Sequence, residues 1–142
     1  MSRIAVASDH AGFALKGEIA DHLRVAGYEV ADYGTSSSEA VDYPDFVRPA
    51  AESVAAGSND VGVVLGASGN GEAITANKVR GIRCAVCWNE QTARLAKEHN
   101  DANMIALGAR LLTAAEALRI VDAWLAAEFQ GGRHQRRIDK IE

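Results

Sequence analysis

The chain has 142 residues, 48% hydrophobic and 24% charged, with a net charge of −4. That length suits one domain with an ordinary core, and the acidic balance argues against a nucleic-acid partner, because phosphate backbones call for a basic surface. No apolar run is long enough to span a bilayer and "MSRIAVASDH" has no signal-peptide organisation, so the expectation is no membrane contact and a cytoplasmic location.

The order of elements follows from periodicity. "RIAVAS" (3–8) reads as a first strand, and Leu15, Ile19 and Leu23, spaced four apart, make one stripe of a helix that Gly27 ends. "YEVADYG" (28–34) is a second strand, followed by the polar loop "TSSSEAVDYPD" and a helix near 46–57. "DVGVVLG" (60–66) is almost continuously apolar, as expected of a parallel strand covered on both faces. The glycine-rich turn "GASGNGEAITANK" then opens another helix. "IRCAVCW" (82–88) is a fourth strand, Asn89 caps a helix to Lys97, and "NMIALG" (103–108) is a fifth strand. Thr113 and Glu116 have capping-box spacing ahead of a helix whose face carries Leu118, Val121 and Leu125. The tail "GGRHQRRIDKIE" is polar and basic. Strands alternating with helices predict a single α/β domain over 1–142, with helices on both sides of a five-stranded parallel sheet.

Cys84 and Cys87 have the C-x-x-C spacing of a redox pair, but they lie inside the fourth strand. Residues three apart in a strand point to opposite faces, so a disulfide is hard to close. Two cysteines also fall short of a zinc site, and the expectation is buried, structural thiols.

Spacing excludes three common α/β proteins. "SDHAGFALKG" after the first strand does not fit G-x-G-x-x-G, the glycine turn reads G-x-x-G-x-G, and no G-K-[ST] is present. A phosphoacceptor domain calls for an Asp after the third strand and a Lys after the fifth, where this chain has Gly-Ala-Ser and Gly-Ala-Arg. Ligands of parallel sheets gather at the carboxyl ends of the strands. That rule points to Asp9, His10, residues 66–72, Asn89, Glu90 and the segment Gly108-Ala109-Arg110; "DYP" (42–44), "HN" (99–100) and the basic tail are expected on the same edge.

Together, "SDHAG", "DYPDF", "SGNGEAITANK", "GIRCAV", "EHNDANMIALGAR" and "GGRHQRRI" resemble the type B ribose-5-phosphate isomerases of the ribose/galactose phosphate isomerase superfamily, in family order over nearly the whole chain. The resemblance implies a three-layer α/β/α sandwich, Rossmann-like, without metal or cofactor. It also implies a homodimer or dimer of dimers with active sites at the subunit interface, the tail (about 131–142) packing on the partner. The implied reaction interconverts ribose 5-phosphate and ribulose 5-phosphate, a pentose phosphate pathway step, through an enediolate.

That chemistry needs ring opening, a base between C2 and C1, donors for the enediolate oxygen and a grip on the phosphate. Arg133 and Arg137 share a face on a helix and suit phosphate; the resemblance makes them its ligands, with His10 and Arg110 assisting and His134 touching it. The alternative is a solvated basic tail. His99 fits proton transfer in ring opening, against a histidine favoured by a helix C-terminus. Asp9 binds sugar hydroxyls, joins that transfer, or caps the first helix. Asn100 orients the substrate, and Tyr43 lines the pocket or packs a turn. The N–H groups of Gly69, Asn70 and Gly71 at a helix start, with the Ser68 hydroxyl, suit the oxyanion. Many relatives carry a cysteine base at the position of Gly66, whereas another branch carries a glutamate four residues after the Ser/Thr of this loop. Ser68 and Glu72 fit the second pattern, which makes Glu72 the base; its alternative is an acid favoured by the helix dipole. Other aldose phosphates (allose 6-phosphate, galactose 6-phosphate, a tetrose phosphate) and a non-catalytic phosphosugar-binding module remain as alternative functions.

Overall fold

A computed structural model of the protein describes residues 2–142. Its strands are β1 (Arg3–Ser8), β2 (Glu29–Asp32), β3 (Val61–Gly66), β4 (Cys84–Val86) and β5 (Met104–Gly108), and its helices are α1 (Phe13–Val25), α2 (Pro44–Ala55), α3 (Asn70–Asn77), α4 (Glu90–Asn100), α5 (Ala114–Ala126) and α6 (Arg133–Ile138). The strands form one parallel sheet in the order β2-β1-β3-β5-β4. This is the three-layer α/β/α architecture expected from the alternating pattern.

Two apolar clusters sandwich the sheet, and strand alternation sorts residues between them. Ile4, Val6, Val63, Leu65, Ile105 and Leu107 pack on one face, against the predicted Leu15–Ile19–Leu23 stripe of α1 and residues of α4 and α5. Ala5, Ala7, Val64 and Ala106 face the other side, under α2 and α3. The cysteines obey the same rule. Cys84 belongs to the second cluster and Cys87 to the first, and both are free and buried. Burial pushes both thiols up, Cys87 to about 12, so neither offers a thiolate near neutral pH.

Because every strand runs the same way, the sheet has a carboxyl edge and an amino edge. Each helix that follows a strand starts at the carboxyl edge and returns toward the amino edge. Local chemistry sets where these helices begin and end. α2 starts at Pro44, ahead of the expected position, with proline in the first turn where its missing N–H costs nothing. α4 is capped by Asn89 and Thr92 in reciprocal hydrogen bonds, and α5 by the predicted Thr113–Glu116 box. α4 runs on past Lys97 to Asn100, where Asp101 adopts a left-handed conformation (φ 45°) and ends it. At the start of α1, the buried Lys16 ammonium meets both carboxylate oxygens of Asp32 at 2.6 and 2.7 Å, tying this helix to the end of β2. The tail turns at Gly131 and Gly132, both with positive φ, and then forms α6.

Candidate active site

Three strand ends build the carboxyl-edge half of the site. After β1, Asp9 Oδ1 accepts from the Ala11 and Gly12 amides at 2.9 and 3.2 Å, which fixes the turn into α1. Asp9 thus shapes the turn ahead of α1 through one oxygen, whereas the helix cap itself is Gly12, with no side-chain cap bond, so the capping role expected of Asp9 is not met. Next to it, His10 Nδ1 accepts from the Val41 amide at 3.2 Å and anchors the loop before α2. An accepting Nδ1 leaves the ring proton on Nε2, free to donate. Tyr43 sits at the N-cap of α2, and its ring lies over Gly71: a Cβ added there would come within 2.7 Å of the phenol oxygen. After β5, the Ala109 and Arg110 amides bond back to the Gly66 and Ala67 carbonyls at 2.8 and 3.2 Å, setting exposed Arg110 beside the β3 loop.

The glycine turn after β3 forms the floor of this half. Gly69 caps α3 with φ 86°, a conformation that calls for glycine, and lies against the Leu107 backbone. The Asn70 amide, expected to be open, instead donates to Ser68 Oγ at 3.2 Å. The hydroxyl of Ser68 thus stabilises the turn and takes one of the three predicted anion donors out of play. Among the described residues, no hydrogen bond holds the Gly69 and Gly71 amides.

Glu72, one helical position further, is only 3% exposed. Its carboxylate occupies the space where any side chain on Gly66 would begin: a Cβ built there would overlap all three terminal atoms of Glu72. Gly66 is therefore a condition for Glu72 to lie where it does, and a side-chain base at 66 and a carboxylate from 72 exclude one another. Burial raises the Glu72 pKa, a bond from its own amide lowers it, and the neighbouring Asp9 charge raises it again.

The remaining predicted residues are elsewhere, which corrects the placement expected from sequence. His99 and Asn100 occupy the last turn of α4, at the amino edge. α4 has 11 residues and spans roughly 16 Å at 1.5 Å per residue. It also lies on the opposite face of the sheet from α3. The reason is topological: residues just before a strand sit at its amino end, not its carboxyl end. The tail joins this second group within its own chain. α6 packs on α4, the Gln130 amide donates to the Glu98 carbonyl at 3.0 Å, and the Gly81 amide donates to Glu142 Oε1 at 2.7 Å. Arg133 and Arg137 are exposed, and among the described residues neither is in an ion pair. His134, expected between them as a phosphate contact, is instead buried, with its ring stacked on His99 at 4.3 Å between centroids.

Sequence reasoning missed the group that holds His99 and Asn100 in place. Arg83 donates to the Asn100 and Asp101 carbonyls, both at 2.9 Å, and satisfies the orphaned end of α4. Asn103 bridges Arg83 and Gly81 from the other side. The only sequence signal was a lone arginine ahead of an apolar run, which does not by itself name a partner.

The topology and the acid-bearing glycine turn define an α/β protein with its candidate chemistry at the carboxyl edge of a parallel sheet, and comparison with known proteins supplies its class. Residues 4–141 match the ribose/galactose isomerase family, and the chain belongs to that family. Ribose-5-phosphate isomerase B of Escherichia coli (strain K12) is 47% identical over 141 residues, covering 99% of this chain and 95% of that protein. The structure of Clostridium thermocellum ribose-5-phosphate isomerase B superposes with a TM-score of 0.97 at 55% identity, covering 98% of this chain and 94% of that one. That of the Mycoplasma genitalium ribose-5-phosphate isomerase B, with bound ribulose 5-phosphate, gives 0.95 at 44% identity, covering 98% and 93%. Among the described residues no helix is long and apolar enough to cross a membrane.

Proposed function

We propose that the protein is an aldose–ketose isomerase that interconverts ribose 5-phosphate and ribulose 5-phosphate, with Glu72 as the base. The observation that carries this reading is the Glu72 carboxylate, buried against Gly66 and beside Asp9. A carboxylate whose proton affinity is raised by burial is a stronger base for abstraction of a weakly acidic C–H. The close relatives named ribose-5-phosphate isomerase B supply the substrate.

In this reading His99 gives a proton to the ring oxygen while Asp9 accepts the anomeric hydroxyl proton, and the ring opens to the aldehyde. Glu72 then removes the C2 proton, and the charge that develops on O1 is met by the Gly69 and Gly71 amides. Glu72 returns its proton to C1 while the O2 proton passes to O1, giving the ketose. Arg133 and Arg137 hold the phosphate, with His10 and Arg110 at its flank, while Tyr43 and Asn100 border the sugar.

One chain carries these groups at opposite edges of its sheet, so a single copy does not complete the site. The reading therefore includes a homodimer in which His99, Asn100 and the α6 arginines of one copy meet Asp9 and Glu72 of the other. Each C2 interface then makes two equivalent sites. The test is steady-state turnover of four-, five- and six-carbon aldose phosphates, with Glu72→Gln in deuterated water. Ribose 5-phosphate should give the highest kcat/KM, and the variant should bind it without solvent deuterium entering C2. A higher kcat/KM for another chain length overturns the substrate; binding without turnover by the wild type leaves only a phosphosugar-binding module.

A further inference from the structure

The His99–His134 pair is the most unusual arrangement outside the carboxyl edge. The rings are stacked, 4.3 Å between centroids and 13° from parallel, one from the last turn of α4 and the other from the first turn of α6. His134 is buried while Arg133 and Arg137 on either side of it are exposed, so the short helix turns its imidazole inward and its guanidinium groups outward. His134 Nε2 is buried without a hydrogen-bond partner. A protonated imidazole has two N–H donors, and one of them would then point into protein with no acceptor. The charged and titratable groups facing His134 act in the same sense: desolvation lowers its pKa first, followed by His99 from α4 and by Arg133 and Arg137 from α6. The other charged groups near the end of α4 are turned elsewhere. Lys97 lies over the Trp124 ring at 4.9 Å, Asp101 faces Arg83 at 3.8 Å, and Glu98 faces Gln130 at 3.5 Å.

We propose that His134 is a positioning residue, an aromatic plate that holds the His99 ring in one orientation, and not a phosphate ligand. The proposal rests on the ring-opening role of His99 given above. A face-to-face stack fixes the plane of an imidazole while leaving its edge nitrogens free, which is what a proton donor needs. Burial and the neighbouring His99, Arg133 and Arg137 disfavour a charge on His134, which suits a positioning ring better than a proton carrier. The same stack fastens α6 to α4, so the arginines are placed with reference to His99.

Four proteins test this: wild type, His134→Ala, His134→Phe and His99→Ala, each assayed for kcat and KM with ribose 5-phosphate and followed by ¹⁵N NMR of the histidine rings across pH. His134→Ala should lower kcat by about 10- to 100-fold, as a loosened catalytic group does, with KM within about 3-fold. His134→Phe, which keeps an aromatic face and has no ring nitrogen, should restore most of kcat. In the wild type, the His134 ring should protonate below the ordinary histidine value, as burial lowers its pKa. A rise in KM with kcat preserved in both His134 variants would make His134 a phosphate ligand and overturn the proposal. Equal loss of kcat in Ala and Phe variants also overturns it, since the ring nitrogens would then be required. Loss of turnover in His99→Ala with wild-type turnover in His134→Ala overturns the proposal alone. Full turnover in His99→Ala removes the ring-opening reading and the proposal with it.

Discussion

At the carboxyl edge of the sheet the two carboxylates are already inside the fold: Asp9 and Glu72 are buried, hydrogen bonds or packing fix both, and His10 and Arg110 lie nearer the surface beside them. At the amino edge the functional groups are basic and face outward: Arg133 and Arg137 are exposed, His99 is half-buried, and Asn100 is exposed. One half resembles the interior of an active site and the other resembles a surface that waits for a partner. Their charges are complementary, and a sugar phosphate needs both, an acid–base pair at C1 and C2 and a cationic grip at the far end. The difference teaches that the incomplete half is not unfinished folding. In the dimer proposed above, a twofold axis would bring the outward basic group of one copy to the inward acidic group of the next.

The largest effect comes from breaking the two halves separately. Glu72→Gln and His99→Ala homodimers should each lose roughly 10²–10⁴ of kcat, the range for a proton-transfer group. Mixed and allowed to exchange subunits, they should regain about a quarter of wild-type activity. Half of the random dimers are then heterodimers, and one of the two sites in each has both groups intact. No recovery, despite mass-spectrometric proof of exchange, would place the whole site within one chain.

A smaller effect should come from the floor of the acidic half. Gly66→Ala places a methyl group where the Glu72 carboxylate lies, and the carboxylate must move. A displaced base should cost about 100-fold in kcat, and the phosphate half, at the other edge, should keep its hold on ribose 5-phosphate. The check is kcat from steady-state assays beside the dissociation constant from calorimetry. Unchanged kcat would mean that Glu72 works from some other position. A loss of binding equal to the loss of kcat would mean that the two halves are not separable in this way.

The same contrast shows what could be read from the sequence. The sheet and most helices were legible because their signals are local: the apolar runs of β1, β3 and β5, the stripe of Leu15, Ile19 and Leu23, and the Thr113–Glu116 cap. The place of Glu72 in the first turn of α3 was legible because its neighbours there, Ser68 to Gly71, are also its chain neighbours. The Gly66–Glu72 overlap was not, since a glycine records the absence of a side chain and not what fills the space. The position of His99 differs from the expected one because "HN" lies close in sequence to β5 but at its amino end, and only strand direction tells the two ends apart. The inward turn of His134 was hidden by its neighbours: in "RHQRR" the charge pattern describes a solvated helix, and one buried ring depends on α4, distant in the chain.

The smallest effect is on stability, and it should appear in one half only. The pKa of Glu72 is raised in the fold, by burial first and then by Asp9, over the bond from its own amide. For a raised carboxyl, the stability contribution is fully present below the ordinary value near 4.5 and is lost as pH rises through the folded value. Glu72→Gln keeps the shape and removes the titration, so its Tm should match the wild type at about pH 4 and exceed it by a growing margin toward pH 8. Arg137→Ala, on the exposed half, should leave the unfolding free energy within about 0.5 kcal/mol of wild type at both pH values. Thermal melts of the three proteins across pH provide the comparison. A Glu72→Gln difference that stays flat with pH would show that the carboxylate is solvated in the folded protein, and the acidic half would then lack the buried base on which its contrast with the basic half depends.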